Sequence, residues 1–314
     1  MRPVLSRVLS LLTVLLLVTL AISFMVDQLP GDPARAILGE DATLAQVEIL
    51  RQQLKLDDPF LVRYAEWLGG ALSGDFGTSI RTQENAGQAI LVRAPVSIQL
   101  MIMAQILAIV LAIPLAVYSA FRPGRALDRS SAALAFASIS VAPFVTALVL
   151  ILVFAVWWPI LPTSGFVPIS QDLGANLRSM ILPACALALV PFGVYQRVLR
   201  SDMGTTLGED FILAARAKGM RPRNLIWRQA LRPSSLGFLT LAGLNMAALI
   251  GGSVVIEMIF ALPGLGQLMA LSISSRDIVV MQALVLLIAL VYIVINLCID
   301  LLYRFVDPRV THAR

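Results

Sequence analysis

From Ala94 to Phe121 the chain carries no charged side chain, and a stretch of that length decides which solvent the protein folds in. A helix rises about 1.5 Å per residue, so about 20 apolar residues cross a hydrocarbon core roughly 30 Å thick. Comparable charge-free stretches lie between Arg7 and Asp27, Arg129 and Asp172, Arg178 and Arg197, Arg232 and Glu257, and Asp277 and Asp300. The Arg129–Asp172 stretch is too long for one helix. It reads as a span ending near Trp157 and Trp158, then a loop with Pro159, Pro162, Gly165 and Pro168. The second span is expected to begin near Ser97. Six spans follow, and the expected fold class is all-α and polytopic. Composition agrees: 14% of residues are charged, against about 25% in an ordinary soluble domain.

The first apolar stretch, Val8 to Val26, exceeds the roughly 7–15 residues of a signal-peptide core, and no small-residue cleavage pattern follows it. Residues 1–27 are therefore expected to be a retained anchor. Lys and Arg accumulate on the cytoplasmic side of membrane proteins. With the N-terminus inside, sixteen of the twenty-four basic residues fall in cytoplasmic segments, and the acids lean the other way. Both termini are expected in the cytoplasm. Pro114, Pro183 and Pro191 fall within spans, where neighbouring helices or water satisfy freed carbonyls. Ala247 and Gly251 fit a small-xxx-small helix contact.

Residues 28–95 read as a small helical insert on the outer side, leaving 96–314 as a core of five spans. Thr43 and Gln46 fit a capping box, followed at helical spacing by Leu44, Val47, Leu50 and Leu54. Asp58 and Pro59 read as a cap and first helical residue. Phe60, Tyr64, Leu68 and Leu72 then fall on one face. The insert is either a docking surface or a lid. Asp75-Phe76-Gly77 has no kinase motif beside it and lies on the outer side, so a kinase reading fails. Cys185 and Cys298 sit in apolar runs and suggest neither a disulfide framework nor a metal site. The single His312 is in the tail.

The cytoplasmic segment 201–236 is the most informative. Thr206 and Glu209 fit a capping box opening a helix through Phe211, Ala215 and Lys218, and Gly219 supplies the left-handed residue that ends it. A second short helix is expected from about Pro222 to Arg232, exposing Leu225, Ile226 and Trp227. Two short helices joined at a glycine make either a plug for a groove or an amphipathic segment lying on the inner headgroups.

The run Asp210-Phe211-Ile212-Leu213-Ala214-Ala215-Arg216-Ala217-Lys218-Gly219-Met220 resembles the coupling-loop motif of binding-protein-dependent ABC importer permeases. The closest similarity is to the dipeptide/oligopeptide/nickel subfamily, first permease type. Further stretches similar to that family follow in order. They are Leu29-Pro30-Gly31-Asp32-Pro33, Leu56-Asp57-Asp58-Pro59-Phe60, Gly74-Asp75-Phe76-Gly77-Thr78-Ser79, Glu257-Met258-Ile259-Phe260 with Pro263-Gly264-Leu265-Gly266, and Asp307-Pro308-Arg309. The resemblance implies the type I importer permease fold in the bacterial inner membrane. It also implies a second permease subunit, two cytoplasmic ATPases and an extracytoplasmic binding protein as partners. On this reading the coupling role falls on Asp210, Phe211, Ala215, Arg216, Ala217, Lys218, Gly219 and Trp227. Glu257, Phe260, Pro263, Gly264 and Gly266 are candidates for an outer gate, Glu257 either lining the pathway or capped by nearby backbone. The chain departs from the family pattern at Gln229, Arg232-Pro233 and Gly237.

No G-x-x-x-x-G-K-[ST] loop occurs, so ATP and Mg are expected on partner chains, with no cofactor, metal or catalytic residue here. The span interiors are almost free of ionisable groups, which disfavours the alternative of an ion-coupled secondary transporter. No H-E-x-x-H or G-x-S-x-G marks a membrane enzyme. Peptides are the expected cargo, with nickel chelates, glutathione, haem or another small solute as alternatives within the same importer class.

Overall fold

The computed structural model describes residues 2–27, 43–53, 57–79 and 81–306. Of the sequence motifs, Leu29–Pro33, Leu54, Leu56, Asp307–Arg309 and His312 lie outside them. The described residues form α1 (Arg2–Asp27), α2 (Leu44–Gln53), α3 (Phe60–Leu72), α4 (Ala86–Phe121), α5 (Ala126–Ser140) and α6 (Pro143–Ile151). Then come α7 (Leu173–Leu207), α8 (Asp210–Ala217), α9 (Pro222–Ile259), α10 (Leu265–Ser274) and α11 (Ile278–Val306). All-helical folding is what hydrocarbon dictates, because a helix satisfies its own backbone polar groups.

Among the described residues, four helices (α4, α7, α9 and α11) are long and apolar enough to cross a membrane. The third charge-free stretch is not one helix. It comprises α5 and α6, the latter prolonged by a π-helical turn, Leu152–Trp157, and the two parts meet at 107°. Pro143 explains the break. A residue before proline is pushed out of the helical region, and Ala142 is extended at φ −64°, ψ 141°. The π turn ends at the exposed Trp157 and Trp158, where interfacial aromatics are expected. In α1, among the described residues, the apolar part runs from Thr13 to Met25. The helix that carries the second span begins at Ala86, eleven residues ahead of Ser97.

The chain divides into two units. The first takes residues up to Val96 together with Pro263–Val294. Its core joins Ala86, Ala89 and Ile90 of α4 to Leu265 and Leu268 of α10 and to Val280, Ala283 and Leu284 of α11. The turn Gly74–Ser79 is fastened to the same place: the Ser79 hydroxyl donates to the buried Asp277 carboxylate, which precedes α11. Thr43 and Gln46 form the expected capping box, with Thr43 N–H on Gln46 Oε1 at 3.0 Å and Gln46 N–H on Thr43 Oγ1 at 3.4 Å. The next helix begins one residue later than expected, at Phe60 with Pro59 as its cap and no side-chain cap from Asp58. It packs on α1 through Phe60 against Phe24 and Tyr64 Oη against Thr19 Oγ1 at 2.8 Å. Leu72 is exposed, so the apolar stripe stops short of it.

The second unit comprises Ser97–Leu262 with the residues from Ile295 onward. It is built on α7, whose flanks pack against α5, α6 and α9. Tyr195 and Phe192 of α7 are fully buried; Tyr195 meets Phe238 of α9 edge to face at 5.4 Å. Its hydroxyl donates to Gln105 Oε1 at 3.0 Å, and Gln105 Nε2 donates to the Ala242 carbonyl at 3.1 Å. Such a closed polar group fixes one register in a core where apolar contacts discriminate poorly. The Ala247/Gly251 pair does not make a helix contact within this chain: Ala247 is buried, but Gly251 faces open space.

Gly193 of α7 packs directly against α5. A Cβ there would lie 2.3 Å from Ser138 Oγ and 2.6 Å from the Ala135 carbonyl of α5. Overpacking a tight contact costs about 1–3 kcal/mol. Gly193→Ala is expected to lower the melting temperature of the detergent-purified chain by several degrees, read by intrinsic fluorescence. Gly251→Ala, with open space around it in a helix interior, is expected to leave that temperature unchanged or raise it slightly.

Candidate coupling surface and outer turn

Segment 201–236 is built between the ends of α7 and α9. Helix α7 closes at Gly208, whose N–H bonds the Thr205 carbonyl at 3.0 Å. Two residues later α8 starts, with Glu209 in extended conformation as its cap and no side-chain cap bond. The expected Thr206/Glu209 capping box is therefore not made. Thr206 is still inside α7, where its hydroxyl donates to the Asp202 carbonyl at 2.9 Å and accepts from Ser234 Oγ at 2.8 Å. That second bond ties the foot of α7 to the foot of α9.

Helix α8 is held by one apolar side chain, Ile212, which is fully buried. Phe211 and Leu213, on either side of it, are 47% and 51% exposed. Asp210, Arg216, Ala217 and Lys218 are exposed too, and Ala215 is half-buried. The helix ends as expected. Gly219 has φ +77°, its N–H bonds the Arg216 carbonyl at 3.0 Å, and Met220 N–H bonds the Ala215 carbonyl at 3.2 Å. This pair of bonds is the Schellman closure, which requires a left-handed residue at that place. Open space surrounds the Gly219 Cα, so only backbone conformation demands glycine there.

The following piece differs from expectation. It is not a separate helix but the start of α9, entered through Pro222–Asn224 and a π-helical stretch, Leu225–Ala230. Leu225 and Ile226, expected on the surface, are buried because that stretch turns them against α7 and α8. Trp227 is half-exposed, as expected. With Arg223, Asn224 and Arg228 it lines an open cavity of about 330 Å³. Between Phe211 and Ile256 there are six basic residues and no acid. The face thus offers Phe211, Leu213 and Trp227 among cations, a composition suited to an acidic protein groove. Sequence reasoning missed the anchor Ile212 and the cavity that Arg223, Asn224 and Arg228 line with Trp227. Ile212 sits in a short helix with apolar neighbours on both sides, so spacing did not single it out. The π stretch shifts the helical phase only from Leu225 onward.

At the other end of α9, Glu257 is fully buried, and the Ser97 hydroxyl donates to its carboxylate at 2.6 Å. Phe260 and Leu262 are buried, and the Phe260 carbonyl accepts Gly165 N–H at 3.2 Å from the preceding loop. Helix α9 closes as α8 does, with Leu262 N–H on the Glu257 carbonyl at 2.9 Å. Here the left-handed residue is Ala261, at φ +49°. Pro263 and Gly264 follow in the first unit, Gly264 capping α10, and Gly266 is buried in its first turn. Ser97, missed as a partner of Glu257, had no signal in its sequence neighbourhood.

A left-handed non-glycine residue costs roughly 1–2 kcal/mol, partly offset by glycine's greater chain entropy. Ala261→Gly is expected to raise stability by up to about 1 kcal/mol, seen as a higher melting temperature in detergent. Ala261→Val is expected to lower it.

Two family models match the chain. One, described as the binding-protein-dependent transport system inner membrane component, matches residues 112–312; the other, its N-terminal counterpart, matches residues 1–101. A putative peptide transport system permease protein of Brucella abortus is 37% identical over 309 residues, covering 98% of both chains. A probable peptide ABC transporter permease protein of Sinorhizobium fredii is 33% identical, over 98% of this chain and 99% of that one. A glutathione transport system permease protein of Escherichia coli K12 is also 33% identical, over 98% of both. Among solved structures, the MetNI methionine ABC transporter in inward-facing form has a similar fold. The TM-score is 0.55 at 17% identity, covering 69% of this chain and 95% of that chain.

Proposed function

Because the chain belongs to the family of inner membrane components of binding-protein-dependent transport systems, we propose that it is the permease subunit of a peptide importer driven by ATP hydrolysed on partner chains. The observation that carries this reading is the full-length similarity, over 98% of both chains, to a permease named for peptide transport. A second cargo, glutathione, is favoured by the similarity to the Escherichia coli protein. Glutathione is itself a small peptide, so one recognition chemistry covers both.

In this reading the α8–Gly219–α9 corner docks into a cytoplasmic ATPase. Phe211 and Trp227 supply the apolar contact, and Arg216, Lys218, Arg223 and Arg228 supply charge attraction. Burying large side chains of this kind contributes about 1.5–3 kcal/mol each. ATP binding on the partners draws the two docking sites together, and the feet of α7 and α9, tied through Thr206 and Ser234, move with them. A second permease subunit completes the pathway, and an extracytoplasmic protein delivers the peptide. Coupling between distant binding sites is reciprocal, so docking of the loaded binding protein favours closure of the ATPases. The basic cytoplasmic segments orient both termini inward.

Purification of the tagged chain from native membranes in mild detergent is expected to bring down a second permease and ATPase subunits. Vesicles holding that complex should take up di- or oligopeptides only with ATP and the binding protein. Uptake that survives ATP depletion and collapses with an ion gradient would reject the importer reading. In the assembled complex, Gly219→Val should reduce peptide uptake at least about tenfold while subunit stoichiometry is unchanged, since coupling energies commonly span 5–150-fold. Normal uptake by that variant would reject the coupling role of the corner.

A further inference from the structure

Helix α5 turns one face onto α7. Asp128, Ser131, Ala135 and Ser138 are its buried residues, at spacings of three, four and three that keep them in one row. Opposite stand Gly193, Gln196 and Arg200 of α7, likewise on one face. The contacts run in register. Gly193 fits between Ala135 and Ser138, Gln196 Nε2 donates to Ser131 Oγ at 3.3 Å, and Arg200 grips Asp128 with two bonds. In that grip Nε is 2.5 Å from Oδ1 and Nη2 is 2.9 Å from Oδ2. Asp128 also accepts Gly124 N–H at 2.8 Å, and Ser131 shares a hydrogen bond with Ser119 at the end of α4, 2.7 Å away. On the flank, the Arg197 guanidinium lies over the Phe136 ring at 5.9 Å.

These contacts are of the kind that hold one alignment and reject others. In lipid, apolar side chains gain little by choosing a helix over acyl chains, so close packing and hydrogen bonds set the register. A bidentate arginine–carboxylate pair is planar and directional. Sliding α5 along α7 by one turn, about 5.4 Å, would break the grip, unseat Gly193 and leave a buried carboxylate unpaired. The row's two ends matter as well. Below Arg200, α7 continues to Leu207 and passes into α8 within three residues. At its other end α5 stops at Ser140, at the 107° bend before Pro143.

We propose that α5 and α7 form one rigid lever, keyed by Asp128–Arg200 and Ser131–Gln196, that carries displacement of α8 to the bend at Val141 and Ala142. Asp128 and Arg200 are positioning residues: they act through the helices they join. The inference rests on the coupling reading of α8. It predicts that α5 and α7 keep one alignment through the whole transport cycle.

The test uses the complete importer in membrane vesicles. Ser131→Cys with Gln196→Cys, in a background with Cys185→Ala and Cys298→Ala, is bridged by a short reducible bis-methanethiosulfonate. Peptide uptake is then measured before and after reduction. Uptake within about twofold of the unbridged complex is expected. A bridged complex that falls at least tenfold and recovers on reduction would overturn the lever, as would failure to bridge in a complex that assembles fully. In parallel, Asp128→Asn should cut the stimulation of ATP hydrolysis by the binding protein about fivefold or more, within the usual range of coupling. Unaltered stimulation in an assembled Asp128→Asn complex also overturns it. Gly219→Val in the same vesicles separates the two readings. If that variant transports normally, the coupling reading fails whatever the bridge does; if it uncouples while the bridge blocks uptake, only the lever fails.

Discussion

Every backbone N–H and C=O in hydrocarbon must find its partner inside the protein, and the long helices of this chain are the answer to that demand. Helices meet it along their length but leave orphan groups at their ends. Here the ends are closed by one device used three times. After α8, α9 and α10 the chain makes paired back-bonds around a left-handed residue: Gly219, Ala261 and Arg276. Only the first is glycine. The other two hold a strained backbone, a condition that persists where the surroundings over-determine it. At Ala261 those surroundings are the buried Phe260 and Leu262.

The same scarcity of water gives polar side chains a different task from the one they have in soluble cores. Along α7, bonds from Asn176, Tyr195, Gln196 and Arg200 reach partners on neighbouring segments of the second unit. They select one alignment of helices from many of nearly equal apolar packing. A permease that changes shape without losing its fold needs alignments that hold in some places and yield in others.

Helix positions were legible because charge-free length is a coarse signal that tertiary context cannot disguise. The Gly219 turn was legible because its closure is local, spanning Ala215 to Met220. Three features were not. The bend at Pro143 hid inside an apolar run, where proline also occurs in continuous helices such as α7. The π stretch Leu225–Ala230 rotated two side chains inward against the spacing expected of an α-helix. The pairs Asp128–Arg200 and Ser97–Glu257 join residues 72 and 160 positions apart, and no local pattern encodes a partner at that distance.

The first unit is made from two distant lengths of chain, and this bears on how the protein is born. Ser79 finds Asp277 across 198 residues, and Ala86 and Ile90 wait for Val280 and Leu284. At about 5–20 residues per second of synthesis, roughly 10–40 s pass between the two strokes. For that interval the turn after α3 and the first turns of α4 stand without their packing partners, beside a ribosome still adding helices. The segment Pro263–Val294 therefore closes a unit whose beginning has long been delivered, and a nascent chain stalled before Leu284 would leave that unit's core incomplete.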